Sequence, residues 1–486
     1  MMEGQAMYKG IRRNEIKDRY DVIVIGAGLG GLICANYLAK AGLTVLVVEQ
    51  HSLPGGCCTS FSRKGYRFDA AVHLISSCGL RESTGNTLSE LGVKIAFNKF
   101  ESLPLNFPDL KIDLPSDLDL LEEEVKNYFP QDQANFERFF KDFRKIYRTI
   151  LGYKKDDSIL QDISRITHRE FLLRYFDDPV IIDFLSFMWL LKGDRPDKIS
   201  AYSLISVMGS YLKDGTYTIV GGAQKLSDSL CDALVSKNGA VLLSAKVIKI
   251  IISGNQAEGI ILEDGVEIKA GRVVSNVDAR QTLFDLIGKE NLPSEYFDDV
   301  SKMKIGESPF ELYLGVAYPE IVDFEGAYFP ENNIDNIVLL IVSSKNNPGS
   351  APPGKHAVVV TSVFPYKYDE VADWKEVKTR LENETLKILE RHIPGIRDKI
   401  EVKDSSTPKT CQRYTLNYKG SAYGWAHTPD QTWIKRLDYK TPVSKLYLAG
   451  HWTRPGGGTH AVITSGKMAA ALVLNDLAGG QATIKP

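Results

Sequence analysis

The sequence lacks several features that would point to particular classes of protein. It has no uninterrupted apolar run of about eighteen residues, the length needed to cross a bilayer. Its six cysteines are scattered over 486 residues without a Cys-x-x-Cys pair, which argues against a disulfide framework or a zinc site. The 59 Lys and Arg residues nearly balance the 61 Asp and Glu residues, so no nucleic-acid partner is indicated. The polar, charged segment 1–19 lacks the apolar core of a signal peptide. We therefore expect a short disordered N-terminal segment and a cytoplasmic protein.

Glycines are plentiful near the N-terminus, where residues 21–49 have the pattern of a strand, a glycine turn, a helix, a second strand and a terminal acid. Gly26 permits a sharp turn, Gly28 a close approach of backbone to a pyrophosphate, and Gly31 close packing of the helix on the sheet. Glu49 ends the second strand, where a carboxylate can accept hydrogen bonds from an adenosine ribose. The unit predicts a dinucleotide site with a helix N-terminus facing the pyrophosphate.

A second glycine turn at residues 54–60 follows this unit directly. An NAD-dependent dehydrogenase has no need of it. The spacing of acid, Gly-Gly and hydroxyl residue instead resembles FAD enzymes of the amine-oxidase and phytoene-desaturase superfamily. The resemblance implies that Gly56, Cys57 and Ser60 lie at the FAD, and Cys57 stands where Arg is commoner, which leaves open what neutralises the diphosphate. We interpret Cys57 and Cys58 as small residues in a crowded turn, since a disulfide between neighbouring cysteines would be strained.

Residues 65–75, which include Phe68, Asp69 and His73, resemble a segment of polyene desaturases, carotenoid isomerases and retinol saturases. Among these families, the residue pattern is closest to that of the retinol saturases. The resemblance implies that His73 lies beside the flavin ring, where an imidazole could act on a substrate proton because it titrates near neutrality. A structural, hydrogen-bonded histidine is the alternative interpretation.

Two segments in the middle of the chain predict apolar helices. Residues 132–151 place aromatic and aliphatic residues at helical spacing, and residues 169–192 are apolar on several sides. Such aromatic stripes are typical of a protein core. A domain inserted into a nucleotide fold commonly holds the substrate pocket, however, and this insert has few converging charges, which favours an apolar substrate.

The chain then returns to the nucleotide domain. Strands are predicted at 241–252 and 257–262, joined by a hairpin turn at 253–255, and the resemblance places the backbone of Val247 against adenine. Beyond this unit, strands are predicted near 310–316, 337–342 and 356–364, followed by a charged helix over 373–392. No second strand-GxGxxG-helix unit occurs, so no stable NAD(P) site is expected.

The C-terminal segment combines a buried strand ending at Gly450, a glycine-rich turn and a helix of small residues. The resemblance implies that this strand and helix reach the ribityl chain and the pyrimidine end of the flavin, where the helix dipole favours negative charge by roughly a kcal/mol or two. His451 stands where the family usually has Asp or Glu, and is interpreted as a cofactor neighbour or a catalytic base. The implied cofactor contacts here are Gly450, His451, Gly458, Ala461 and Val462.

These observations predict an α/β fold with a Rossmann-like FAD-binding domain (20–100, 215–285 and 411–486) and an inserted mixed α+β substrate domain (101–214 and 286–410). Over nearly its full length the chain resembles the phytoene desaturase, carotenoid isomerase and retinol saturase family. The resemblance implies hydride exchange between FAD and a long isoprenoid polyene, with His73, Tyr423 and His427 as candidate catalytic residues.

Several alternatives stay open from sequence. A flavin amine oxidase and a non-catalytic flavoprotein are the other candidate functions, and neither the direction of the redox reaction nor the electron acceptor can be assigned. Because a polyene is delivered from lipid, we expect a peripheral membrane protein that docks through apolar side chains of the insert.

Overall fold

The computed structural model describes residues 8–153, 156–330, 334–363 and 368–479. These ranges contain both strands and helices. The strands are β1 Arg19–Ile25, β2 Val45–Val48, β3 Ser60–Arg63, β4 Tyr66–Asp69, β5 Ile75–Ser76, β6 Phe97–Lys99, β7 Ser102–Asn106, β8 Lys111–Pro115, β9 Thr216–Ile219, β10 Ala240–Leu242, β11 Val247–Ser253, β12 Gln256–Leu262, β13 Glu267–Ser275, β14 Phe310–Val316, β15 Gly326–Tyr328, β16 Val338–Val342, β17 His356–Ser362, β18 Ile400–Ser406 and β19 Leu446–Leu448. The α-helices are α1 Leu29–Lys40, α2 Ser83–Glu90, α3 Leu118–Tyr128, α4 Gln133–Ile150, α5 Asp157–Arg165, α6 His168–Leu172, α7 Pro179–Ser186, α8 Ala201–Met208, α9 Ala223–Val235, α10 Ser294–Lys302, α11 Ser343–Asn346, α12 Trp374–His392, α13 Pro408–Thr415 and α14 Thr459–Leu477.

The first sheet joins the two ends of the chain. Its strands run in the order β10-β2-β1-β13-β12-β11, and β19 pairs with the end of β13. The pairs among β10, β2, β1, β13 and β19 are parallel, whereas β11 and β12 form an antiparallel extension. The apolar runs of β1 and β2 are buried on both faces, as parallel strands between layers require. The predicted α/β class with a Rossmann-type sheet is confirmed.

The second sheet has the order β18-β14-β17-β16-β15-β7-β8 and is formed from the middle of the chain. Helix α12 packs its apolar residues against β14, β16 and β17. The helices α3 to α8 pack together on β7, β8 and β16 around a core of aromatic rings. The aromatic residues of the insert are therefore mainly core. The boundaries assigned to the two domains stay predictions.

Most predicted elements of the insert are confirmed, but one is wrong. The helices over 132–151 and 373–392 correspond to α4 and α12, and the strands near 310–316, 337–342 and 356–364 correspond to β14, β16 and β17, although position 364 lies outside the described residues. The apolar block 169–192 is not one helix. It divides into α6, α7 and a 3₁₀ helix, because Asp178 caps α7 and Pro179, its first residue, cannot continue a preceding helix.

Two predictions near the first sheet also need correction. Residues 241–252 contain two strands, because Ser244 adopts a positive φ of 53° between β10 and β11. The hairpin of β11 and β12 is confirmed, with Gly254 and Asn255 both at positive φ. Residues 8–18 are not part of a disordered N-terminal segment, since the Ile11 amide donates to the Val241 carbonyl at 2.8 Å. Residues 1–7 lie outside the described part of the chain.

Candidate active site

A cavity opens at the carboxyl ends of the parallel strands and extends to the second sheet. The first sheet contributes residues at the ends of β1 and β2 and just beyond β13 and β19, which is where open α/β sheets bind ligands. The second sheet contributes Glu311 from β14, Leu339 from β16 and Thr361 from β17. Twelve of the residues predicted from sequence line this cavity: Gly26, Gly28, Glu49, Gly56, Cys57, His73, Val247, Tyr423, Gly450, His451, Gly458 and Val462.

The two glycine turns form one backbone cradle. The Gly55 amide donates to the Ala27 carbonyl at 2.8 Å, and a Cβ on Gly56 would lie 3.5 Å from the Cα of Gly28. Gly55 and Gly56 have positive φ values of 123° and 60°, which glycine adopts without strain. The glycines of the cradle have no side chains, and the N-terminus of α1 is adjacent. The cradle therefore fits the diphosphate of a dinucleotide.

Asn276 is a site residue that was not singled out from sequence. It follows β13 directly. A Cβ atom on Gly28 would lie 2.8 Å from its side-chain Nδ2, and one on Gly30 would lie 2.7 Å from its Oδ1. Its amide nitrogen donates to the Gly26 carbonyl at 3.4 Å. The sequence feature that could have indicated Asn276 is its position directly after a buried strand. In the structure this strand, β13, pairs with β1.

Glu49 holds the first glycine turn onto the end of β2. Its carboxylate accepts the amide of Ala27 at 2.8 Å and the amide of His51 at 2.9 Å. Burial raises the pKa of Glu49, and these amides oppose the rise. A carboxylate can accept about four hydrogen bonds, so Glu49 retains capacity for ribose hydroxyls.

Ser60, Gly31 and Ala461, predicted as cofactor contacts, do not line the cavity. The Ser60 hydroxyl donates to Asp69 at 2.6 Å and accepts the Gln224 amide at 3.1 Å, so it fixes the start of α9. Gly31 has the predicted packing role, since a Cβ there would lie 2.3 Å from the Gly26 carbonyl oxygen. Ala461 is buried within the first turn of α14.

Cys57 lines the cavity, and its side chain forms a hydrogen bond with that of Cys411. This hydrogen bond lowers the pKa of Cys57 and raises that of Cys411. Cys58 is buried and its thiol donates to the Ala223 carbonyl at 3.3 Å. The two adjacent cysteines therefore have separate partners.

The N-terminus of α14 opens into the cavity beside His451. Gly458, the N-cap residue, and Thr459 and Val462 of the first turn line the wall. Burial lowers the pKa of His451 to about 3, so its ring is neutral at pH 7. Its buried Nε2 has no hydrogen-bond partner among the described residues. A polar ligand such as a ribityl chain or flavin edge would satisfy this atom and the helix amides.

His427, predicted as catalytic, lies behind this wall and not in it. Its Nε2 accepts the Gly457 amide at 3.3 Å, and its own amide donates to Asp194 at 2.6 Å. Lys192 donates to the Gly457 carbonyl at 2.5 Å. Burial lowers the pKa of Lys192 to about 7 and raises that of Asp194 to about 7. This buried polar cluster positions the glycine turn that begins α14.

The end of the cavity away from the cradle is mostly apolar. Leu74, Leu190, Leu191, Tyr211 and Leu339 line it and also line a smaller cavity beyond, whose further walls include Phe100, Leu103 and Met188. The hydroxyl of Tyr423 donates to the Leu190 carbonyl at 2.8 Å, which fixes its ring in the wall. His73 Nε2 lies 3.6 Å from the carboxylate of Glu311 within this apolar region.

A family model described as flavin containing amine oxidoreductase matches residues 29–474. The chain belongs to this family. The flavin oxidoreductase is 26% identical to prolycopene isomerase 1, chloroplastic, of an Oncidium hybrid cultivar, over 95% of this chain and 85% of that relative. It is 26% identical to a lycopene-forming phytoene desaturase of Pantoea ananas, over 93% and 99% of the two chains. It is 24% identical to all-trans-retinol 13,14-reductase of Danio rerio, over 92% and 85%.

Solved structures share the fold of this flavin oxidoreductase. An oxidoreductase from Methanosarcina mazei superposes with a TM-score of 0.70 at 21% identity, covering 92% of this chain and 99% of that one. A putrescine oxidase gives a TM-score of 0.67 at 17% identity, covering 94% and 99%. The family match, together with the glycine cradle, identifies an FAD-dependent oxidoreductase.

Replacement of Glu49 by alanine is expected to weaken FAD binding by about tenfold or more. The substitution removes the acceptor for the Ala27 amide and any ribose contact, and an unsatisfied buried donor costs about 1–3 kcal/mol. Titration of apoprotein with FAD, followed by flavin fluorescence, measures the effect. The exposed Glu258→Ala is the matched control and should bind as the wild type does. Equal affinity in Glu49→Ala would contradict this role.

Proposed function

We propose that the protein uses FAD to exchange hydride with a C–H bond of a long apolar isoprenoid polyene, in desaturation, saturation or cis-trans isomerisation of a carotenoid or retinoid. The observation that carries the proposal is the continuation of the nucleotide cavity into walls of leucine and aromatic side chains. Relatives that act on such polyenes by name align over more than nine-tenths of the chain, which also supports it.

The chain's own residues perform three tasks in such a reaction. Bound FAD supplies the hydride acceptor or donor. Glu49, Asn276 and the glycine cradle hold the nucleotide, while the N-terminus of α14 favours negative charge on a ligand beside it by roughly 1 kcal/mol. The leucine walls exclude water and align an apolar chain by dispersion contacts without fixed polar anchors.

Incubation with candidate substrates tests the proposal. Phytoene, poly-cis lycopene and all-trans retinol are offered to the oxidised and the dithionite-reduced protein, and putrescine and benzylamine to the oxidised protein, with products followed by mass spectrometry. We expect a desaturated, saturated or isomerised polyene. An aldehyde from an amine would favour the amine oxidase instead, and no product from any substrate would favour a non-catalytic flavoprotein.

A variant of the apolar wall sharpens this test. Leu191 lines both cavities, so Leu191→Asn should raise KM for the polyene by about tenfold because it places a polar amide against an apolar chain. Leu173→Asn is the matched control, since Leu173 is 49% exposed. FAD content should be unchanged in both variants. Equal KM values would argue against a substrate in this region.

We also propose that the protein docks peripherally on a membrane. No helix within the described ranges is long and apolar enough to cross a bilayer. Leu80 and Tyr153 are 98% and 76% exposed, and Leu120 is half exposed. The segments that carry them are linked through residues 213–214: Ser77 and Tyr147 bond to Asp214, and Asp119 bonds to Lys213. Apolar side chains at such a surface can insert at a lipid interface.

Vesicle sedimentation tests the docking surface. The double variant Leu80→Ser, Tyr153→Ser should bind vesicles of phosphatidylcholine and phosphatidylglycerol about fivefold less than the wild type, since each loses buried apolar area. Ile434→Ser is the control because Ile434 is similarly exposed but outside this surface. Binding that is equal in all three proteins, or absent in the wild type, would contradict the proposal.

A further inference from the structure

One pair of ionisable side chains interrupts the apolar part of the cavity. Glu311, on β14, and His73, in the loop after β4, both line it, and their side chains are only 7% and 8% exposed. Glu311 Oε2 lies 3.6 Å from His73 Nε2. More than two hundred residues separate them in sequence, so no local pattern indicates the pair.

Burying a carboxylate among apolar side chains destabilises the folded protein unless the carboxylate is paired. A purely structural role for Glu311 would therefore lower the stability of the fold. The Thr361 hydroxyl donates to Glu311 Oε2 at 2.7 Å and fixes its orientation. Neither ring nitrogen of the buried His73 has a hydrogen-bond partner within the described part of the chain. The imidazole therefore retains hydrogen-bonding capacity beside the cavity.

The Glu311 carboxylate favours a proton on His73. Burial alone would lower the pKa of His73, but the Glu311 carboxylate raises it above its ordinary value. Asp69 adds to the rise, and Tyr313 and Tyr423 also interact electrostatically with Glu311. His73 thus retains its proton to a higher pH than an imidazole without such a partner would.

We propose that Glu311 and His73 are the proton-transfer pair of the reaction, an inference that rests on the proposed polyene chemistry. In desaturation, bound FAD would be the oxidant and would accept one substrate hydrogen as hydride, with both electrons of the C–H bond that breaks. The adjacent C–H bond loses its proton to the Glu311 carboxylate, and its electrons form the new double bond. In saturation, with reduced flavin as hydride donor, His73 Nε2 delivers the proton to the neighbouring carbon.

Glu311→Gln tests the proposal, because glutamine keeps the size of the side chain and an acceptor for Thr361 but cannot take the proton. We expect kcat with the polyene to fall by about a hundredfold or more, with KM and FAD affinity within about threefold of the wild type. Glu325→Gln is the matched control, since Glu325 is equally buried in the same sheet region but outside the cavity lining. Its kcat should be unchanged.

A second readout does not depend on turnover. The pKa of His73, measured by NMR titration with His73→Asn used for assignment, should fall in Glu311→Gln because the opposing carboxylate is gone.

The outcomes separate this inference from the proposed function. A wild type that converts polyenes while Glu311→Gln retains its kcat and the pKa of His73 would overturn the pair alone. A wild type that oxidises amines, with KM for the amine raised in Glu311→Gln, would show that Glu311 binds an ammonium group and would overturn both. If Glu311→Gln does not bind FAD, Glu311→Asp, which keeps the carboxylate, should restore binding and part of kcat.

Discussion

The peptide of Gly30 lies against both Gly450 and Gly466, and the site depends on this contact between the two ends of the chain. A Cβ on Gly466 would lie 2.3 Å from the Gly30 carbonyl oxygen, and one on Gly30 would lie 3.0 Å from Gly450. Only glycines allow α1 and α14 to approach so closely. Because both helix N-termini then open into one cavity, the N-terminal cradle and the C-terminal turn can act on one ligand.

This arrangement separates two kinds of chemistry along one cavity. At the cradle, backbone amides, Glu49 and Asn276 offer polar contacts to a dinucleotide. Toward the second sheet the walls consist mainly of leucine and aromatic side chains. Electrostatic interactions are little screened there, and few other polar groups compete with the interaction between His73 and Glu311. The buried Lys192 and His427 hold the turn between these regions from behind. The enzyme thus positions a polar cofactor against an apolar space.

Sequence predicted the parts of the site that depend on local backbone geometry. The glycine turns, Glu49 and the start of α14 each have a short pattern with a steric or electrostatic cause, and the structure brings them together. The contacts of Asn276, Glu311 and Lys192 could not be predicted in this way, since each involves a partner distant in sequence. Ser60 fits a motif and His427 is a candidate catalytic residue, but neither lines the cavity, because a residue's place in the chain does not fix the direction of its side chain. The block 169–192 was misread as one helix because apolar composition outweighed the break at Pro179.

The central claim is that the two ends of the chain together hold one flavin nucleotide over an apolar space. The most direct test is the visible absorption spectrum and cofactor analysis of the purified protein, before and after addition of FAD. The account predicts a flavin spectrum with one FAD per chain, released intact on denaturation. A protein that stays colourless when offered FAD, or that holds a nicotinamide dinucleotide in its place, would contradict it.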